Sequence, residues 1–369
     1  MFFIRAVCSI IQNERKVRSA FPVGATVWAV LVAFFCAEIA AAHPNGHKPK
    51  TDDHAILWYE PDDIASRNLL YGEGGAIGEA PSTTFSYVDE DLKGTSPKFD
   101  VRDDSGTKWT VKLGQEARPE TVANRLLWAV GYFTKEDYFL PKIRVNGLQP
   151  VSKGRRKRVI GLIDSDGTIH DVELKRHPTD EKKVGSWEWR RNPFAGTREL
   201  NGLRVMMAVL NNWDLKDENN SIYVERSSKG KKQSGTSDDT ERIYLVSDVG
   251  ASFGTTGRVR KSSIAKGNLS SYERSKFIRN VTGDYVDFYV PSRESWVLLV
   301  DPKEYVERLR LRWIGRHIPR ADARWIGQLL AKLSTDQIRD AFRAADYSPQ
   351  EVDGFTQTIE NRIADLNDL

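Results

Sequence analysis

Leu210-Asn-Asn-Trp213-Asp214-Leu-Lys216-Asp217-Glu-Asn219-Asn-Ser-Ile-Tyr-Val224 links an apolar run to a β-rich one. Upstream, Glu199 to Leu210 is apolar on most sides, which predicts a buried helix. Downstream, Ser221–Glu225 is a short β-like run. The polar turn between them holds an acid, a cation and an amide in the spacing Asp214-x-Lys216-x-x-Asn219. Six residues decide nothing alone, so the reading turns on which groups precede and follow them.

Upstream lies Gly94-Thr-Ser-Pro97-Lys98, followed by Phe99-Asp-Val-Arg and Trp109-Thr-Val-Lys112 around Asp103-Asp-Ser-Gly106. Two β-rich runs around such a turn predict a hairpin. Alternation puts Trp109 and Val111 on one face and Thr110 and Lys112 on the other. A helix follows, with Pro119 expected at its first position, a stripe of Val122, Ala123, Leu126, Leu127 and Val130, and Gly131 closing it. Glu120 falls in its first turn. Downstream, Ile243-Tyr-Leu-Val leads into Asp248-Val-Gly250. Asp248 comes 34 positions after Asp214, and the polar run Ser227–Asp239 accounts for much of that interval as a loop between strands Ser221–Glu225 and Arg242–Val246.

The pattern Asp214-x-Lys216-x-x-Asn219 followed by Asp248-x-Gly250 resembles the catalytic loop and metal-binding turn of protein kinases. The run Gly94-x-x-Pro97-Lys98, the hairpin ending in Val-Lys112 and the helix with Glu120 resemble the N-lobe of HipA-type kinases, an atypical branch of the protein-kinase-like fold. The resemblance spans residues 94–255 and implies roles. Gly94 and Lys98 would cover nucleotide phosphates, Lys112 would grip them, and Glu120 would orient Lys112. Asp214 would accept the proton of an attacking hydroxyl, Lys216 would neutralise phosphate charge, and Asn219 and Asp248 would hold Mg²⁺ or Mn²⁺. Trp213 stands where typical protein kinases have an arginine, which implies no coupling of that arginine to a phosphorylated activation segment.

The remaining chain fits around this core. Its 369 residues are 29% charged and 40% hydrophobic, enough for one large domain or two lobes, and a net charge of +4 is too small to imply nucleic-acid binding. Residues 1–42 read as a signal peptide or uncleaved N-terminal anchor: basic Arg5, Arg15, Lys16 and Arg18, an apolar stretch from Val23 to Ala37, then Ala40-Ala-Ala42. Export to a periplasm or secretion follows, with membrane contact only through residues 23–42 if they are retained. Both cysteines, Cys8 and Cys36, lie in that segment, so the remaining chain has neither a disulfide framework nor a cysteine nucleophile. Residues 43–55, with His43, His47 and His54, read as a disordered linker. Gly72–Gly78 reads as a turn, because no helix-forming run follows it. β-like runs are expected at Thr83–Val88, Tyr138–Leu140, Lys142–Val145, Val159–Ile163 and Thr168–Leu174, with an Asp-Gly turn at Asp164–Gly167 and Trp187 and Trp189 packing inside. Residues 255–290 read as a basic, serine-rich loop in the place of an activation segment. Residues 302–369 read as helices, with a capping box at Ser334–Gln337 and a last helix starting at Ser348–Glu351.

The expectation is an α+β, protein-kinase-like two-lobed fold, with a mainly β N-lobe at 56–190 and a mainly helical C-lobe at 191–369. The expected function is ATP- and metal-dependent phosphoryl transfer to a hydroxyl of a protein, lipid or small molecule. The alternative is a non-catalytic exported pseudokinase that acts as a binding or scaffold protein.

Overall fold

The computed structural model describes residues 54–75, 82–92, 97–177, 181–225, 240–256, 265–291 and 297–369. The expected targeting segment, nearly all of the linker, Gly94 and the whole Ser227–Asp239 run lie outside them. The described chain is mixed α+β. After a two-residue β1 (Ala55–Ile56), the hairpin that carries Lys112 becomes part of a closed five-stranded barrel. Its strands are β2 (Thr84–Glu90), β3 (Lys98–Arg102), β4 (Lys108–Leu113), β5 (Asp137–Asn146) and β6 (Thr168–Arg176), in the spatial order β2-β3-β4-β6-β5. Neighbours run antiparallel except β2 with β5, whose parallel pairing closes the barrel.

Alternation gives the barrel its two surfaces. Phe99, Val101, Trp109, Val111, Leu113, Val172 and Leu174 fill the interior. The intervening residues face outward, and register aligns them into rows. Lys98 lies opposite Lys112, Lys112 opposite Glu173, and Thr110 opposite Lys175. The two runs expected at Tyr138–Leu140 and Lys142–Val145 are one strand, β5, which continues through Pro141. Val159–Ile163 is not a strand. It forms turns after the 3-10 turn Arg156–Arg158, and only Ile163 makes a bridge, to Ile169. The Asp-Gly turn does form: Gly167 N–H donates to Asp164 O at 3.2 Å.

Helix α1 (Ala117–Ala129) begins two residues earlier than Pro119 suggests and buries almost its whole length. β7 (Glu181–Gly185), β8 (Asn220–Glu225), β9 (Arg242–Val246) and β1 form a second sheet in the order β1-β9-β8-β7. The sequence reading expected neither β1 nor β7 as a strand; they pair with β9 and β8, the two strands that follow the Asp214 loop. Helix α2 (Arg198–Val209) runs into that loop, capped by the Thr197 hydroxyl, which accepts from Leu200 N–H at 3.2 Å. Its buried face on nearly every side follows from the all-round apolar sequence.

Part of the segment expected as a basic loop is regular: α3 (Leu269–Glu273), then β10 (Ile278–Thr282) and β11 (Tyr285–Phe288). Then come α4 (Val297–Val300), α5 (Pro302–Leu311), β12 (Ile318–Pro319), α6 (Arg320–Leu330), α7 (Thr335–Arg343) and α8 (Pro349–Asn367). The expected capping box forms at the start of α7, and α8 starts at Ser348 as expected, with a capping box of its own. Phe253 joins the Asp248 segment to these helices, with ring centroids 5.2 Å from Tyr272, 5.5 Å from Phe342 and 5.9 Å from Phe355. Trp187 and Trp189 pack edge to face at 4.9 Å and are buried, as expected.

Candidate functional site

Lys112 ends β4 on the outward face of the barrel, against α1. Its side chain is almost wholly buried, and its ammonium touches three carboxylates: Glu120 Oε2 at 2.5 Å, Glu116 Oε2 at 2.8 Å and Asp248 Oδ1 at 3.2 Å. Burial alone favours loss of its proton. The carboxylates of Glu120, Asp248 and Glu116 outweigh that and hold the Lys112 pKa well above its ordinary value. Glu120 is fully buried in the first turn of α1 and is shared: Lys175, from β6, pairs with its other oxygen. Lys266 pairs with Glu116 from a third direction.

The carboxylates respond to the same charges. Burial pushes Glu116 and Asp248 up, but Lys112 outweighs it and holds both below the usual carboxylate range. Glu173, beside Lys112 in the cross-strand row, behaves oppositely. It is fully buried, its two carboxyl oxygens accept no hydrogen bond, and Lys175 stands 3.3 Å from Oε1. Burial and the neighbouring Glu120 charge raise its pKa well above the ordinary value, against the pull of Lys175 and Lys112.

Gly250 explains why the Asp248 turn can come so close. A Cβ there would stand 2.8 Å from Glu116 Cβ and 2.9 Å from Glu120 Oε2. Only a residue without a side chain lets the turn press against α1 at the point where Asp248 meets Lys112. The same segment is fastened to the Asp214 loop. Trp213 N–H donates to Ala251 O at 3.2 Å, Phe253 N–H to Leu210 O at 2.8 Å, and Asn211 Nδ2 to Gly254 O at 2.7 Å. On the other side, Ser247 N–H donates to Asn219 O at 2.8 Å. Asp214, Asn219 and Asp248 therefore belong to one hydrogen-bonded framework, with Lys112 and Glu120 docked on Asp248.

Asp214 is half-buried. Its backbone N–H donates to Asn212 Oδ1 at 2.9 Å, and its Oδ1 accepts from Arg308 Nη1 at 2.8 Å. Arg308 comes from α5, is buried, also pairs with Glu304, and lies over the Trp213 ring 5.0 Å from its centroid. Burial works against its charge, but Asp214 and Glu304 outweigh it and raise the Arg308 pKa. The position before Asp214 is thus an aromatic platform for an arginine brought from a distant helix. Asn219 Nδ2 donates to Asp214 O at 2.7 Å, which leaves Oδ1 as its acceptor atom. Lys216 lies 3.5 Å from Glu307 and 3.8 Å from Glu218. Lys98 lies 4.0 Å from Asp91.

The structure brings Lys112, Glu120 and Asp248 into direct contact and ties Asp214 and Asn219 to the same framework. Lys98 shares the cross-strand row of Lys112, while Lys216 points to α5. Sequence reading missed Glu116, Glu173, Lys175, Lys266 and Arg308. Three of these had a signal: Glu116 follows Lys112 at a spacing of four, and Val-Glu173-Leu-Lys175 repeats the strand-ending pattern of Trp-Thr-Val-Lys112. Arg308 and Lys266 had none, because their meeting with the site is set by tertiary packing.

No protein-family model matches the chain, and no curated protein matches it. A solved structure of a Helicobacter pylori proinflammatory kinase, CtkA, aligns with a TM-score of 0.40 at 10% sequence identity, over 78% of this chain and 96% of that one.

Proposed function

We propose that this chain is a kinase-like phosphotransferase that uses ATP and a divalent metal, Mg²⁺ or Mn²⁺, to phosphorylate a hydroxyl. The observation that carries the reading is the buried Lys112 ammonium, 2.5 Å from Glu120 and 3.2 Å from Asp248, joining strand, helix and Asp-x-Gly turn. Their order in the sequence and their convergence in space are independent facts, and together they support a kinase-like arrangement of the HipA type, with a β-rich N-lobe and a helical C-lobe.

Each residue has a task in this reading. Glu120, held by two lysines, fixes the Lys112 ammonium, which turns from Asp248 to the phosphates of the nucleotide. Asp248, whose side chain is about half exposed, and Asn219 through Oδ1 supply the oxygen donors that a hard cation takes. A bound metal supplies charge neutralisation at the transferring phosphoryl group. Asp214 retains Oδ2, which takes no hydrogen bond among the described residues, to orient a substrate hydroxyl and accept its proton. Lys98 adds positive charge beside Lys112, and Lys216 reaches phosphate by leaving Glu307. Gly94 belongs to the loop over the nucleotide. The substrate is a protein, lipid or small molecule, met after export to a periplasm or beyond. Among the described residues, no helix is long and apolar enough to cross a membrane.

One observation favours the second reading, a non-catalytic binding or scaffold protein of the same fold: Arg308 already occupies Asp214 Oδ1. Thermal melting with ATP–Mg²⁺ and a phosphoryl-transfer assay separate the two. Stabilisation with transfer supports the enzyme. Stabilisation without transfer supports the scaffold, and the absence of both stabilisation and transfer defeats the enzyme reading. Asp248→Asn is expected to abolish the metal-dependent shift, and an intact shift in that variant would overturn the metal assignment.

A further inference from the structure

A pocket of about 870 Å³ opens beside the Asn211–Gly254 hydrogen bond, between α3, the β10–β11 hairpin and the 3-10 turn Arg312–Gly315. That volume suits a small molecule. Five cations line it: Arg274, Lys276, Arg279, Arg312 and Arg316. Among the described residues, none of the five has a carboxylate within ion-pair distance, and none of the lining residues is acidic. Arg274 donates to the Ser270 hydroxyl, and Lys276 and Arg279 lie 5.5 and 5.9 Å from the centroid of Tyr289. These contacts steer the groups without neutralising them.

The cations are brought together by packing rather than by a run in the sequence. Gly315 permits it: a Cβ there would lie 2.6 Å from Val290 Cγ2 and 3.0 Å from Phe288 O. The turn that carries Arg312 and Arg316 can therefore press against the end of β11, across from Arg279 on β10. Arg312 is half-buried there. Burial, and the like charges of Arg316 and Arg279, lower its pKa against the opposing pull of Tyr305. Like charges gathered in a concavity raise the energy of the empty pocket and lower that of an anionic complex.

We infer that this pocket binds a small molecule that carries two or more phosphoryl groups. Four of the five cations are arginines, whose planar forks match phosphate oxygens bidentately. A single carboxylate would leave most of the positive charge unanswered. The inference does not rest on the phosphotransferase reading, since none of the five groups belongs to the Lys112–Asp248 site.

The test is calorimetric titration of the protein with inositol hexakisphosphate at physiological ionic strength, using wild type, Arg279→Ala/Arg312→Ala and Lys332→Ala. The double variant is expected to bind about tenfold more weakly or worse. The remote surface variant Lys332→Ala is expected to bind as wild type does. Equal binding by the double variant, or an equal loss in Lys332→Ala, overturns the pocket, and so does absence of binding by wild type. A second arm uses phosphatidylcholine vesicles doped with phosphatidylinositol bisphosphate. Arginine-dependent vesicle binding identifies a lipid headgroup as the source of the phosphates, and binding of the soluble compound alone identifies a free polyphosphorylated metabolite.

Discussion

The molecule holds two clusters of cations that follow opposite rules. Around Lys112, three ammonium groups meet three ionised carboxylates: Lys112 touches Glu116, Glu120 and Asp248, Lys175 shares Glu120, and Lys266 takes Glu116. Around Arg312, five cations line one pocket with no carboxylate within ion-pair distance among the described residues. Burial accounts for the difference. An unpaired charge in the interior loses its hydration and cannot persist, so the inner cluster had to be matched charge for charge. The outer one is wet enough to stay unmatched. The inner cluster therefore fixes segments in place, whereas the outer one leaves its charge available.

The largest effect expected from this contrast follows Lys112→Met. It strands Glu116, Glu120 and Asp248 around an apolar side chain, and breaking a buried pair by removing one partner costs about 3–5 kcal/mol. Urea denaturation measures it, and phosphoryl transfer is expected to vanish in the same variant. Adding Glu120→Gln is expected to restore part of the stability, since one stranded charge is gone. A loss under about 1 kcal/mol for the single variant would mean that water reaches the cluster and that the two clusters do not differ in kind.

A smaller effect sharpens the account of the inner cluster. Glu173 is the carboxyl left over there, and burial with the Glu120 charge raises its pKa. Its folded pKa lies above its unfolded value of about 4.3. As pH rises past that value, the unfolded chain releases this proton and the native state keeps it, so this group makes stability fall with rising pH. Glu116 and Asp248 have depressed folded pKa values and act the other way, contributing stability above their unfolded pKa values that is lost as pH falls. Glu173→Gln removes only the first dependence. Its stability relative to wild type is expected to rise as pH goes from about 4.5 to about 7.5, read from urea midpoints at each pH. A difference that stays flat with pH would show an ionised Glu173 in the fold and a cluster with excess negative charge.

The two clusters also differ in how far sequence reveals them. Lys112, Glu120 and Asp248 were legible because each ends or begins a regular element with its own local signature: alternation for β4, an apolar stripe for α1, an Asp-x-Gly turn after β9. Asp214 and Asn219 were legible for the same reason. The closure of the barrel was not, because the parallel pairing of Thr84–Ser86 with Arg144–Asn146 joins strands that no local signal connects. Nor was the burial of Glu120, since an acidic residue in a first helical turn is ordinarily a surface feature. The outer pocket left almost no trace. Its arginines come from two stretches more than thirty residues apart, Arg274–Arg279 and Arg312–Arg316, and sequence reading placed the first of them in a solvated loop. Steric fit at Gly315 and the β10–β11 hairpin bring them together, and both are consequences of packing.

The smallest expected effect lies in that pocket. Arg312→Ala removes a half-buried cation that faces Arg279 and Arg316 and has no carboxylate among its partners. Relief of like-charge repulsion offsets the lost packing of its stem, so the stability change is expected to stay within about 0.5 kcal/mol of zero. Raising salt screens the repulsion in wild type and not in the variant, so any advantage of Arg312→Ala is expected to shrink between low and high ionic strength. Urea midpoints at the two salt concentrations measure this. A loss of several kcal/mol that salt does not change would show that Arg312 holds the fold as Lys112 does. The pocket would then be a second structural cluster with its charge matched by other means, and the contrast between the two regions would fail.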